Sequence, residues 1–97
     1  MNFPDTYNEM VAFSCCRAFG KYFTLSDDGF RYFYEGLISG EILSVRGEPG
    51  GIVRVRNPRE TVTTTLEATA EMDASVRSVL LTKDRLQVET TKADAEL

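Results

Sequence analysis

The sequence predicts an α+β protein in which two N-terminal helices pack on one face of a four- to five-stranded antiparallel sheet, a meander in the order ααβββββ. Two observations lead to this fold class. All ten aromatic residues fall between Phe3 and Tyr34, and near residue 40 the spacing of apolar residues changes from three or four positions to two. We therefore expect one domain over residues 1–97, made of a helical layer (1–40), a sheet (41–91) and a frayed tail (92–97).

The first helix is expected to begin at residues 4–6, because Thr6 and Glu9 have the spacing of a capping box. Apolar residues then recur every three or four positions and form one stripe: Tyr7, Met10, Val11, Ser14, Cys15, Ala18 and Tyr22. Four further apolar residues fall off this stripe: Phe13, Cys16, Phe19 and Phe23. The helix is therefore apolar over more than one face.

The second helix has clear start and stop signals. Thr24 or Ser26 is suited to cap its N-terminus, and Gly40 is a typical C-terminal stop. Its apolar residues form a single face: Phe30, Phe33, Tyr34, Leu37 and Ile38. Tyr32 points the opposite way, beside Glu35, so this pair is expected at the surface.

The remaining chain alternates as strands do. Residues 41–46 and 51–57 flank the turn sequence GEPG and predict a hairpin, which Pro58 ends. Residues 61–72 give the most regular alternation and predict one long strand with a bulge or bend. Residues 76–81 and 85–91 predict a final hairpin around the sequence TKD.

The composition argues against an enzyme with a self-contained site, a cofactor or a metal centre. The chain has no histidine, which is the usual general base and the commonest metal ligand. No serine or threonine lies in a nucleophile motif. Cys15 and Cys16 are neighbours on a helix, where a disulfide between them would strain the backbone. We expect two reduced thiols, with Cys15 packing as a small apolar residue.

A basic patch is expected on the sheet. Arg54 and Arg56 alternate with valines and so point away from the helices, and Arg46 and Arg77 are candidates for the same face. These four arginines make a nucleic-acid-binding module one hypothesis. The net charge of −4 and the absence of aromatic residues from the sheet argue against it. Cross-strand pairing with Glu67 or Glu89 would instead make this an ordinary solvated face.

The aromatic surplus of the helices favours a second hypothesis, a non-enzymatic inhibitor or adaptor that occludes a surface of a protein or ribonucleoprotein partner. Small acidic chains of this kind are common among phage and mobile-element proteins that block host machinery. The candidate contacts are Phe13, Tyr32 and Glu35 on the helices, or Arg54, Arg56 and Glu67 on the open sheet face. A homodimer formed through the aromatic helices is a third alternative.

The sequence gives no indication of a membrane protein. No apolar run approaches the roughly 18–20 residues that cross a bilayer. Residues 1–10 lack the basic and apolar regions of a secretory signal. We therefore expect a cytoplasmic protein without a membrane partner.

Overall fold

The computed structural model describes residues 6–59, 61–68 and 74–91, and it confirms the predicted fold class. Two helices precede five strands, and every strand pairing in the sheet is antiparallel. The elements are α1 (Tyr7–Phe19), α2 (Asp27–Ser39), β1 (Ser44–Glu48), β2 (Ile52–Arg56), β3 (Thr61–Thr65), β4 (Val76–Thr82) and β5 (Arg85–Thr90).

Both helices begin where the sequence signals predict, and α2 also ends where predicted, whereas α1 ends at Phe19, before Tyr22 and Phe23, which the sequence assigns to it. Thr6 caps α1, and its hydroxyl accepts a hydrogen bond from the Glu9 amide at 3.2 Å. Ser26 caps α2 by accepting from the Gly29 amide at 3.0 Å. Gly40 ends α2 with a φ of 82°, a left-handed conformation that favours glycine. In the described ranges no helix is long and apolar enough to span a membrane.

The strand order, β3-β2-β1-β4-β5, differs from a simple meander at one connection. β4 pairs with β1 instead of β3. The cause lies after β3, where the chain leaves the sheet and pairs with the loop between the helices. Phe23 and Ala68 form an isolated antiparallel bridge there, and the Thr24 amide donates to the Glu67 carbonyl at 2.9 Å. Residues 66–68 thus lie at the turn of the β1–β2 hairpin, beside Gly51, and β4 lies on the other side of β1.

The third strand is shorter than its alternating sequence predicts. It ends at Thr65, and all five of its side chains are exposed. Val62 lies opposite the buried Val55 and therefore on the same face of the sheet, yet it is 41% exposed. Helix α1 packs against β4 and β5, and the exposure of all five β3 side chains shows that the helices do not cover this edge. Residues 69–73 of the predicted strand lie outside the described residues, as does the tail at 92–97.

The stripe that the sequence singles out on α1 is not its buried face. Tyr7 and Met10 are 79% and 55% exposed. The buried positions are Ala12, Cys16 and Phe19, so Cys16 is the fully buried thiol, while Cys15 packs against the core in a partly buried position. The face that carries Phe19 is the buried one because the large Phe19 ring removes more apolar surface from water than a tyrosine with a polar hydroxyl does.

The side of the sheet under the helices is formed by every second strand residue. Five of these aliphatic side chains are at most 3% exposed: Val45, Val53, Val55, Val79 and Leu81. Gly47 falls in the same row, and a Cβ there would overlap the ring of Phe23. Phe23 in turn stacks on Phe19 with ring centroids 5.0 Å apart. The loop between the helices is therefore held directly against the backbone of β1.

Candidate binding surface on the open sheet face

The face of the sheet that points away from the helices, hereafter the open face, brings the predicted arginines together. In the strand register Arg46 lies directly opposite Arg54 and, on its other side, opposite Leu80. Arg56 lies opposite Ser44. The open face contains Ser44, Arg46, Glu48, Ile52, Arg54, Arg56, Thr61, Thr63, Thr65, Arg77, Ser78, Leu80, Thr82, Arg85, Gln87 and Glu89.

Two arginines directly opposite each other repel, and the open face compensates each of them with a carboxylate. The Nε of Arg54 lies 3.4 Å from Oε1 of Glu48. The Nη1 of Arg46 donates to the Ser78 hydroxyl at 3.1 Å and lies 4.0 Å from Oε2 of Glu89. The pair Arg46–Arg54 therefore sits inside a pattern of alternating charge.

Glu89 is the centre of this pattern on the β4–β5 side. The Ser78 hydroxyl donates to its Oε2 at 3.2 Å, and Nη1 of Arg77 lies 3.8 Å from its Oε1. Arg77 reaches Glu89 because the register between β4 and β5 shifts between Val76 and Ser78, as it does where a bulge inserts one extra residue into a strand. The predicted cross-strand pairing of arginine with Glu89 is confirmed.

The open face is basic although the chain is acidic. Among the described residues it carries five arginines against two glutamates, a net charge of +3, whereas the other described residues carry five basic and seven acidic side chains, a net charge of −2. Such segregation produces a positive potential over one surface of a molecule whose total charge is −4.

The ion pairs of the open face are weak and contribute little to the stability of the fold. The Arg46 and Arg54 side chains are 43% and 50% exposed, and that of Glu89 is 57% exposed. Pairs this accessible to water contribute about 0.2–1 kcal/mol each to stability. An incoming group of suitable charge can therefore replace one partner at little cost.

The helix-borne candidates do not form one surface. Phe13 lies in the seam between the helices, where its ring packs edge-on against Phe30 at 5.2 Å and Tyr34 at 5.8 Å. Tyr32 is 58% exposed and, with Glu35, lines a shallow groove of about 470 Å³ that Phe13 does not reach. The structure thus separates Phe13 from the pair Tyr32–Glu35.

The acidic residue predicted beside Arg54 and Arg56 is Glu67. It follows the end of β3, and its backbone carbonyl accepts from the Thr24 amide, so it belongs to the segment that pairs with the loop between the helices. Its place on the open face, which the alternation of residues 61–72 predicts, stays a prediction.

Sequence reasoning missed the role of Glu48. It placed Glu48 within the β1–β2 turn, whereas the turn consists of residues 49–51, and Glu48 pairs with Ile52 as the last residue of β1. The signal was present in the two consecutive glycines, Gly50 and Gly51, both of which have a positive φ. Glycines at these positions mark the turn itself and move Glu48 into the strand, diagonal to Arg54.

The thiols are poor nucleophiles in this environment. Cys15 and Cys16 are both free, and burial raises the pKa of Cys16 to about 12. Burial and the nearby carboxylate of Asp84 raise the pKa of Cys15 as well. Since the thiolate is the reactive form, neither side chain is activated at neutral pH. Within residues 6–59, 61–68 and 74–91, no three acidic, cysteine or histidine side chains could hold a metal ion together.

No known protein family, curated protein or solved structure matches this chain. The functional interpretation therefore depends on the geometry of the open face. Guanidinium groups with exchangeable carboxylate partners, flanked by the apolar side chains of Ile52 and Leu80, can contact a surface of complementary charge.

Proposed function

We propose that the chain is a cytoplasmic, non-enzymatic binding protein that docks the open face of its sheet on an acidic surface of a protein partner and occludes it. It would act as an inhibitor or adaptor, of the kind that phages and mobile elements direct at host machinery. The observation that carries the proposal is the pattern of the open face. Its arginines are interleaved with Glu48 and Glu89 and surround Ile52 and Leu80.

This pattern suits a protein surface because arginine is enriched in protein–protein interfaces, and its planar fork binds a carboxylate through two hydrogen bonds. The weak ion pairs within the face can exchange for pairs across an interface. Ile52, which is 36% exposed, adds apolar area beside Arg54. The two glutamates would select against partners whose opposing charges are all negative.

Nucleic acid is the second candidate, and the net charge of +3 on the open face favours it. The contacts would be Arg46, Arg54, Arg56 and Arg77. Three of these four lie within 4.0 Å of a glutamate oxygen, so an approaching phosphate backbone would also meet carboxylates. The strands carry no aromatic side chain on which a base could stack. For these reasons we prefer a protein partner.

The test compares two variants with equal changes of charge. The first, Arg54→Glu/Arg56→Glu, reverses two charges on the open face. The control, Arg31→Glu/Lys83→Glu, reverses two exposed charges on α2 and in the β4–β5 turn. A protein captured by the wild-type chain from host lysate is identified by mass spectrometry, purified and titrated against all three forms. We expect affinity to fall by at least tenfold for the first variant and to stay within about threefold for the control, because only the first removes charge complementarity at the interface.

Two outcomes contradict the proposal. Equal binding by Arg54→Glu/Arg56→Glu, with the fold verified by circular dichroism, would exclude the open face as the contact surface. Binding of mixed DNA or RNA that weakens steeply between roughly 50 and 200 mM salt, and disappears in the same variant, would replace the protein partner by nucleic acid.

A further inference from the structure

The outer edge of β3 has a defined pattern of backbone groups. The Leu66 amide donates to the Gly51 carbonyl, and this pair continues the register in which Ile52 lies opposite Thr65. Antiparallel strands alternate between hydrogen-bonded and non-hydrogen-bonded pairs. The amides and carbonyls of Val62 and Thr64 therefore point toward β2. Those of Thr61, Thr63 and Thr65 point outward, away from the sheet.

This edge lacks the features that usually prevent strand addition. Natural edge strands carry charges, prolines or bulges, and β5, at the other edge, carries Arg85 and Glu89. The sequence of β3, TVTTT, has no charge and no proline, and its register with β2 is continuous. All five side chains are exposed.

We propose that β3 pairs with β3 of a second copy of this chain, antiparallel about a two-fold axis at Thr63, so that two sheets join into one. In this arrangement Thr63 lies opposite Thr63 of the second copy, and Thr61 opposite Thr65. The outward groups then form three doubly hydrogen-bonded pairs. A second copy is the favoured occupant because the strand is nearly palindromic about Thr63, and threonine–threonine pairs across strands are stabilising.

The arginines of the open face permit this pairing. Arg54 lies opposite Thr63, so the two Arg54 residues of the dimer would be separated by three strand spacings, roughly 14 Å. That distance exceeds the Debye length of about 8 Å at physiological ionic strength, so their repulsion is largely screened. The axis is perpendicular to the sheet and places both open faces on the same side. The pairing does not depend on the proposed function, because it uses the outward backbone groups of β3 and not the arginine side chains.

The main experiment reverses charge at the symmetry axis. Thr63→Lys and Thr63→Glu each place like charges directly opposite in a homodimer, whereas an equimolar mixture places opposite charges there. By sedimentation velocity we expect the wild type to be a dimer, each variant alone to be a monomer, and the mixture to recover the dimer. The control, Gln87→Lys, adds the same charge to exposed β5 and is expected to leave the dimer intact.

Proline substitutions supply a second, independent test. Thr63→Pro removes an outward amide without affecting the ladder to β2, so we expect a folded monomer with an unchanged circular dichroism spectrum. Thr64→Pro removes an amide that faces β2 and is expected to destabilise the fold. In the wild type, hydrogen exchange at the amides of Thr61, Thr63 and Thr65 should slow as protein concentration rises.

The proposal is overturned if the wild type remains a monomer, or if Thr63→Lys remains a dimer. Dissociation by Gln87→Lys but not by Thr63→Lys would assign the interface to β5 instead. Failure of the mixture to recover a dimer, with both variants folded, would exclude a two-fold axis at Thr63. These results report the oligomeric state of the chain, whereas the charge reversals at Arg54 and Arg56 test the binding of a partner separately.

Discussion

The two faces of the sheet are built from adjacent residues of the same strands, yet they differ in what they contribute. On the covered face Val45, Val53 and Val79 have no exposed surface. On the open face the neighbouring Arg46 and Arg54 are about half exposed and paired with glutamates. The comparison indicates that the covered face provides most of the stability of the fold, whereas the side chains of the open face stay accessible to solvent.

The magnitudes support this division. Complete burial of a valine or leucine side chain contributes about 1.5–3 kcal/mol, whereas an exposed ion pair contributes about 0.2–1 kcal/mol. Changes on the covered face should therefore be visible as changes in the free energy of unfolding. Changes on the open face should affect binding far more than stability.

The largest effect is expected from Phe23→Ala. The Phe23 ring is fully buried between Phe19 and the backbone of Gly47, so its removal should lower the free energy of unfolding by about 3–5 kcal/mol. Urea denaturation followed by circular dichroism measures the loss. Phe23→Leu, which retains most of the volume, serves as the milder variant if Phe23→Ala does not fold. A loss below about 1 kcal/mol would contradict the assignment of Phe23 to the core.

Gly47→Ala tests the same contact from the strand. The added methyl group would overlap the Phe23 ring, and overpacking of this kind costs about 1–3 kcal/mol. In the double variant Phe23→Leu/Gly47→Ala the methyl group meets a smaller side chain. Its loss of stability should therefore be smaller than the sum of the two single losses. Additive losses in thermal and urea unfolding would show that the two residues are not in contact.

These contacts mark the limit of what the sequence could predict about the fold. The capping hydroxyls of Thr6 and Ser26 and the stop at Gly40 are local signals, and each was readable. Alternation predicted the hairpins equally well. The sequence did not show which of the two apolar stripes of α1 is buried, because that depends on how the rings of Phe19 and Phe23 pack in the core. That is a property of the assembled layers.

The residues of the candidate surface were predictable where they alternate along a strand. Alternation with valine placed Arg54 and Arg56 on the open face, and the strand register added Arg46. The end of β3 at Thr65 was not predictable, because the residues that follow pair with Phe23 and the loop between the helices. That pairing joins segments more than forty positions apart in the sequence, and periodicity carries no information about it.

The pH dependence of stability provides a smaller test of the covered face. Burial raises the pKa of the Cys16 thiol from 9.0 to about 12, so the folded state keeps its proton where the unfolded state loses it. This contribution is complete below pH 9 and declines as the pH rises toward 12, by at most about 1.4 kcal/mol per pH unit. The stability difference between wild type and Cys16→Ala should therefore shrink above pH 9.

Tyrosines and lysines titrate in both the wild type and Cys16→Ala, so their effect on stability cancels in the stability difference between the two proteins. Cys15→Ala is the matched control. Cys15 is only partly buried, so the stability difference between the wild type and Cys15→Ala should change less with pH. A difference for Cys16→Ala that stays constant between pH 8 and 10.5 would contradict the burial of this thiol, since linkage requires a slope wherever the two states bind different numbers of protons.

The smallest effect is expected on the open face, from Glu89→Gln. The substitution removes the charge that pairs with Arg46 and Arg77 but keeps an oxygen that can accept from the Ser78 hydroxyl. Because these side chains are about half exposed, the free energy of unfolding should fall by less than about 1 kcal/mol. The loss should vanish at 1 M salt, where the Debye length is about 3 Å. Glu35→Gln makes the same change of charge on α2 and should have no such salt dependence.

Glu89→Gln also makes the open face more positive by one unit, so its effect on binding separates the two candidate partners. An acidic protein surface and a nucleic acid should both bind the variant more tightly, because the repulsion from Glu89 is lost. The affinity for nucleic acid should rise more, since every phosphate is negatively charged. A loss of stability above about 2 kcal/mol would contradict the comparison of the faces. It would mean that the charge network around Glu89 holds the strands together as strongly as a buried side chain, and that binding through the open face could not exchange its ion pairs.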